Sequence, residues 1–82
     1  MRLLVVEDDE KLAKILSVAL SNIGDVDIAL SGEAALQDVE KTYYDLIVLD
    51  LMLGKLSGMD VLREVRRMHL MPIIVLSALS DI

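Results

Sequence analysis

Four short runs of aliphatic residues, each separated from the next by a stretch with helical spacing, limit most tightly what this chain can fold into. Leu3-Leu4-Val5-Val6 ends abruptly at Glu7-Asp8-Asp9-Glu10, and Leu12, Ile15, Leu16, Ala19, Leu20 and Ile23 then recur at helical intervals up to Gly24. Val26-Asp27-Ile28 alternates as a half-exposed edge strand should. Ser31 is placed to cap a second helix that carries Ala35, Leu36 and Val39 and closes near Lys41. Leu46-Ile47-Val48-Leu49 reads as a buried strand ending in Asp50. A loop with Gly54 follows, then a third helix with Ser57 as its cap and Met59, Leu62, Val65 and Arg66 near its start. Pro72 precedes a fourth strand, Ile73-Ile74-Val75-Leu76, which ends at Ser77.

The order is therefore βαβαβαβ, which predicts an α/β fold with a parallel sheet, right-handed crossovers and helices on both faces. There is no internal repeat or linker, and residues 1–82 read as one domain. Ile73 to Leu76 is apolar throughout, as an interior strand should be, yet no strand pattern follows it. An uncovered apolar edge invites pairing with another chain. Either the chain is a piece of a larger domain or something else covers that edge.

Composition narrows the function classes. The chain is 55% hydrophobic with only two Tyr and no Phe or Trp, so its apolar content is nearly all aliphatic, as buried parallel strands require. A net charge of −6, from 14 acidic and 8 basic residues, argues against a sequence-independent grip on nucleic acid. Cysteine is absent, which excludes disulfides and thiolate metal sites. The run from Leu3 to Val6 is too short for a signal peptide or a membrane span, and a cytoplasmic location is expected.

In an open α/β sheet, ligands bind outside the carboxyl ends of the strands, near the point where strand order reverses. Here the first strand ends in Glu7 and Asp8, the third in Asp50 and the fourth in Ser77. Hard oxygen donors grouped in this way suit Mg²⁺. Each residue alone has a plainer explanation. Asp50 can be a turn residue, Glu7 to Glu10 can be a solvated loop at a helix N-terminus, and Ser77 can start a turn. Their shared place at one end of the sheet is what favours a site.

Val5-Val6-Glu7-Asp8-Asp9, Asp45 through Leu53, Ser57-Gly58, and Pro72 through Ala78 resemble, in order and spacing, the signature of response regulator receiver domains. The resemblance covers the whole chain and in flavour is nearest to the OmpR/PhoB type of transcriptional regulator. It implies a flavodoxin-like doubly wound parallel sheet with strand order 2-1-3-4. It also implies a two-component signalling role rather than an enzyme. Asp50 would take a phosphoryl group from a phosphohistidine of a sensor histidine kinase. Mg²⁺ would be held by Asp8, Asp50, the backbone carbonyl of Met52 and, through water, Glu7. Ser77 would hydrogen-bond a phosphoryl oxygen and report the modification. Such chemistry needs mainly positioning and charge neutralisation.

Departures from the family pattern carry expectations too. Gly54 stands where the family commonly has proline, so that loop should be more mobile. The family's fifth strand, with the lysine that pairs with the phosphorylated aspartate, and its fifth helix have no counterpart in the sequence. Lys11, Lys14, Lys41 and Lys55 do not match that lysine's position. The chain therefore reads as a truncated receiver, with any DNA-binding output domain absent. A homodimer or strand exchange through the uncovered fourth strand is the alternative role, as a self-association module without phosphorylation. A Mg²⁺-dependent phosphohydrolase of the haloacid-dehalogenase kind would need a second acid two residues after the nucleophile, where this chain has Met52. Arg63, Arg66, Arg67 and His69 read as a solvated helix end, and Tyr43 and Tyr44 as packing at a helix–strand junction. Met52, Met59, Met68 and Met71 read as fillers of packing gaps.

Overall fold

The computed structural model describes residues 1–54 and 56–76. Strands β1 (Arg2–Val6), β2 (Asp25–Ala29), β3 (Leu46–Asp50) and β4 (Ile73–Leu76) alternate with helices α1 (Glu10–Leu20), α2 (Gly32–Lys41) and α3 (Gly58–Met68). All three strand pairings are parallel, and the order across the sheet is β2-β1-β3-β4. This is the doubly wound, flavodoxin-like arrangement that the sequence pattern implies. The chain leaves β1 first toward one edge and then toward the other, so the reversal of strand order falls between β1 and β3.

The two central strands are buried because both of their faces are covered. By the two-residue period of a strand, Leu4, Val6, Ile47 and Leu49 point to one face. There they meet Ala35 and Val39 of α2 and Val61 and Val65 of α3, with Tyr44, Leu53 and Met71 closing the rim. The opposite face of the sheet takes Leu3, Val5 and Val48, and α1 lies over it through Ala13, its one fully buried residue. Each helix begins on a side-chain cap. Asp9 accepts from the N–H groups of Lys11 and Leu12, Ser31 from Ala34 and Ser57 from Asp60. A cap of this kind contributes about 1 kcal/mol.

As the order 2-1-3-4 implies, β4 is an edge strand among the described residues, with Ile74 50% and Val75 39% exposed because its neighbour lies on one side only. Three expectations need correcting. Leu12 and Ile15 of the predicted α1 stripe stand exposed, since among the described residues only the line through Ala13 has a sheet to rest on. Met71 does fill the core, but Met52, Met59 and Met68 are exposed, lying on a loop or on helix positions turned to solvent. Tyr44 is buried while its neighbour Tyr43 points out, because successive residues of extended chain face opposite ways.

Tyr44 closes a clamp at the amino end of the sheet. Its hydroxyl donates to Asp27 Oδ2 at 2.7 Å, and the Arg2 guanidinium donates to the same oxygen at 2.9 Å. The Arg2 backbone N–H meets Asp45 Oδ2 at 2.7 Å. The Tyr44 hydrogen bond, then Arg2, holds the Asp27 carboxyl below its ordinary value, while burial and Asp27 push the Tyr44 phenol up to about 12. The stability supplied by the neutral phenol is complete below its ordinary value of 10.0 and is lost as pH rises through about 12. That supplied by ionised Asp27 is lost as pH falls below its ordinary 3.8 through the lower folded value. Tyr44→Phe keeps the ring and removes the donor, and should cost about 1 kcal/mol at neutral pH. Denaturant midpoints of the two proteins at pH 7 check this, and coincident curves would show that the clamp is inert.

Candidate functional site

The register of the sheet builds the site. Val6 lies beside Leu49, so one more residue along each strand brings Glu7 level with Asp50 at the carboxyl ends of the central pair. Glu7 N–H donates to Ala29 O at 3.0 Å, which anchors the chain as it leaves β1. Asp8 follows on the exposed rim, and Asp9 turns the chain into α1. Carboxylate oxygens of Glu7, Asp8 and Asp50 all lie within 4.8 Å of one another.

Glu7 is only 3% exposed and Asp50 9%. The Asp9 N–H donates to Glu7 Oε2 at 3.1 Å, while Glu7 Oε1 is buried with no hydrogen-bond partner. Burial first, then the neighbouring Asp50 and Asp8, push the Glu7 carboxyl from its ordinary 4.5 up to about 7, against the opposing pull of the Asp9 N–H. A buried carboxylate oxygen without a donor costs free energy until a cation or a proton satisfies it. Three carboxylates around one crevice, one with an orphaned oxygen, therefore fit a hard divalent cation.

Asp50 is held from its own loop. The Met52 N–H donates to Asp50 Oδ1 at 2.9 Å, an Asx-type turn that fixes the carboxylate as the chain leaves β3. Below it, Gly58 N–H donates to Leu51 O at 3.1 Å, so the start of α3 is seated on the residue after Asp50. Of the residues expected at the site, Glu7, Asp8 and Asp50 come together, and Met52 adjoins them through its backbone. Ser77 and Lys55 lie outside the described residues. Reading the sequence placed Asp9 and Gly58 in the matching motifs but gave neither a role at the site. Asp9 was visible only as one acid in a run of four. Its place directly before the helical pattern was the available signal for a cap.

Comparison with known proteins agrees with this geometry. Residues 3–82 match the response regulator receiver domain family. The response regulator ArlR of Staphylococcus saprophyticus is 38% identical over 81 residues, covering 98% of this chain and 37% of the relative. ArlR of Staphylococcus haemolyticus is 41% identical over 80 residues, 96% of this chain and 36% of that protein. This chain thus spans little more than a third of the curated relatives it matches. Among solved structures, the response regulator TrrA of Thermotoga maritima, in complex with Mg²⁺ and BeF, superposes with a TM-score of 0.89 at 34% identity, covering 98% of this chain and 71% of that one. DrrB of Thermotoga maritima, an OmpR/PhoB homologue, gives 0.88 at 33% identity, with 98% and 36% covered. The chain belongs to the receiver domains of two-component response regulators, signalling modules whose members generally bind Mg²⁺. Among the described residues no helix is long and apolar enough to cross a membrane.

Proposed function

We propose that Asp50 is the phosphoacceptor of a two-component switch, taking its phosphoryl group from a phosphohistidine on a sensor histidine kinase in the cytoplasm. One observation carries the reading: Glu7, Asp8 and Asp50 converge on one crevice in which a buried oxygen of Glu7 has no donor. Asp50 Oδ1 is engaged by the Met52 N–H, which leaves Oδ2 to attack phosphorus. The new O–P bond forms as the P–N bond to the imidazole breaks, and the histidine leaves with the electron pair of that bond. Asp50 becomes an acyl phosphate.

Asp8, Asp50 and the Met52 carbonyl would hold Mg²⁺ directly, with Glu7 acting through water. When bound, the ion neutralises charge on the phosphoryl oxygens and lets neighbouring carboxylates stay ionised together. Ser77 takes the role of hydrogen-bonding a phosphoryl oxygen, and the modified site biases a transcriptional output carried elsewhere in the full regulator. TrrA, solved with Mg²⁺ and BeF, supports the choice of ion and of a phosphoryl-like ligand.

The test is intact mass after incubation with Mg²⁺ and a small acyl phosphate donor. Wild type should gain one phosphoryl group, labile to hydroxylamine, and Asp50→Asn should gain none. A wild-type chain that stays unmodified, or an adduct that persists in Asp50→Asn, overturns the assignment. Sustained turnover of a phosphomonoester would point to a hydrolase instead.

A further inference from the structure

Glu7 is held by the residue that begins the next helix. The Asp9 N–H donates to Glu7 Oε2 at 3.1 Å, and Glu7 Oε1 stays buried without a partner. The rest of Asp9 serves α1. Its Oδ1 accepts from the N–H groups of Lys11 at 2.9 Å and Leu12 at 3.2 Å, and its carbonyl accepts from Ala13 at 2.9 Å. Ala13 is fully buried against the sheet, so this turn of helix is fixed in place. A capping residue keeps an extended backbone, here with φ −83° and ψ 111°. With the helix fixed, that conformation sets the direction of the Asp9 N–H. The Asp9 carboxylate is exposed and is not among those that gather at the crevice.

We propose that Asp9 is a positioning residue for cation binding: its cap on α1 keeps the Asp9 N–H on Glu7 Oε2, which leaves Glu7 Oε1 to the crevice. The inference rests on the reading that Glu7, Asp8 and Asp50 take Mg²⁺. Hydrogen bonds behind a metal ligand orient it, and losing one weakens metal binding by about tenfold or more. Here the donor is a backbone N–H, so the cap is what a substitution can remove. Without it the start of α1 frays, the Asp9 N–H loses its direction, and the Glu7 carboxylate is free to turn. Linkage makes the effect mutual. Whatever factor the cap adds to Mg²⁺ affinity, Mg²⁺ adds to the stability of the cap. The cation site and the first turn of α1 are thus one coupled unit, although Asp9 itself touches no ion.

Position and charge can be separated, because asparagine and serine cap as well as aspartate but carry no charge. Amide shifts followed through a titration with Mg²⁺ alone give the affinities. Asp9→Asn and Asp9→Ser should bind at least about fivefold tighter than Asp9→Ala, which is equally uncharged but cannot cap. Asp9→Gly also lacks the capping side chain at a smaller cost to the helix, and stands in for Asp9→Ala if that variant does not fold. Ser31→Ala removes the equivalent cap from α2, where Ser31 Oγ accepts from the Ala34 N–H. It should lose stability yet bind Mg²⁺ as wild type does. In a Glu7→Ala background the difference between Asp9→Asn and Asp9→Ala should vanish, since the oxygen through which the cap acts is gone. Saturating Mg²⁺ should widen the gap in unfolding stability between those two single variants. Equal Mg²⁺ affinity in Asp9→Asn and Asp9→Ala overturns the proposal, and equal weakening of both would mean that Asp9 acts by charge alone. A difference that persists without Glu7 overturns it as well. A wild-type chain that binds no Mg²⁺ overturns the reading of the site itself, and this inference with it.

Discussion

Gly58→Ala is expected to destabilise the fold by about 3 kcal/mol or more, although alanine is the better helix former by about 1 kcal/mol. The reason is contact, since no glycine in the described structure has positive φ. A Cβ at Gly58 would run into the carbonyl oxygen of Asp50 and the Cα of Leu51. Both are backbone atoms of the strand end that bears the candidate phosphoacceptor, and neither can turn aside as a long side chain would. The Gly58 N–H bond to Leu51 O holds the two segments at this separation. To admit the methyl group, α3 must lift from the sheet or Asp50 must shift, and the first of these opens the core around Val61 and Val65. Gly54 provides the control, because a Cβ there meets nothing within 4 Å. Gly54→Ala should be neutral or slightly stabilising through the unfolded chain. Denaturant unfolding of both variants decides the matter. A Gly58→Ala protein as stable as Gly54→Ala would show that the close approach does not constrain the site. If Gly58→Ala folds, its rate of phosphoryl uptake should fall as well, because the displaced backbone is that of Asp50 itself.

The contrast between these glycines shows what could be read from the sequence. The order of elements, the parallel sheet and the caps at Ser31 and Ser57 follow from local patterns, and all are present. The same holds for the meeting of Glu7, Asp8 and Asp50, because strand ends in a parallel sheet gather on one side whatever the details of packing. The close approach of Gly58 to Asp50 could not be read in this way. It depends on how deeply α3 settles on the sheet, a distance set by tertiary packing rather than by any local period. Burial of the α1 stripe failed for a related reason. An apolar residue declares that it can be buried, but whether it is buried depends on a neighbour, and Ile15, 63% exposed, has none that covers it among the described residues. The methionines mislead because their flexible side chains suit a core and an open surface equally. The orphaned oxygen of Glu7 was also beyond reach, since one acid in Glu7-Asp8-Asp9-Glu10 looks like any other until the backbone buries it.

That oxygen leads to the second large effect. Glu7→Gln is expected to make the chain more stable in the absence of divalent cations while weakening Mg²⁺ binding. In the wild type, burial raises the Glu7 carboxyl from 4.5 to about 7, so the folded protein favours its neutral form. The contribution of that neutral form is complete below the unfolded value and is lost as pH rises through the folded one. At pH 8 the fold therefore carries a buried negative charge beside Asp50 and Asp8. Glutamine removes the charge, can still accept the Asp9 N–H through its carbonyl, and offers its amide to the neighbouring carboxylates. The gain at pH 8 should be on the order of 2 kcal/mol and should vanish toward pH 4, where the wild-type carboxyl is already neutral. Adding Mg²⁺ should reverse the trend. The wild type has a full anionic site and is stabilised by mass action, whereas the variant has lost one charge and gains less. Thermal or denaturant unfolding at pH 4 and pH 8, with and without Mg²⁺, separates the two effects. A variant less stable than wild type at pH 8 without metal would mean that the Glu7 carboxylate holds the fold together rather than straining it. If instead stability rises and cation response falls together, the strain in the empty fold and the affinity of the site have one origin, the burial of a carboxylate that needs a cation.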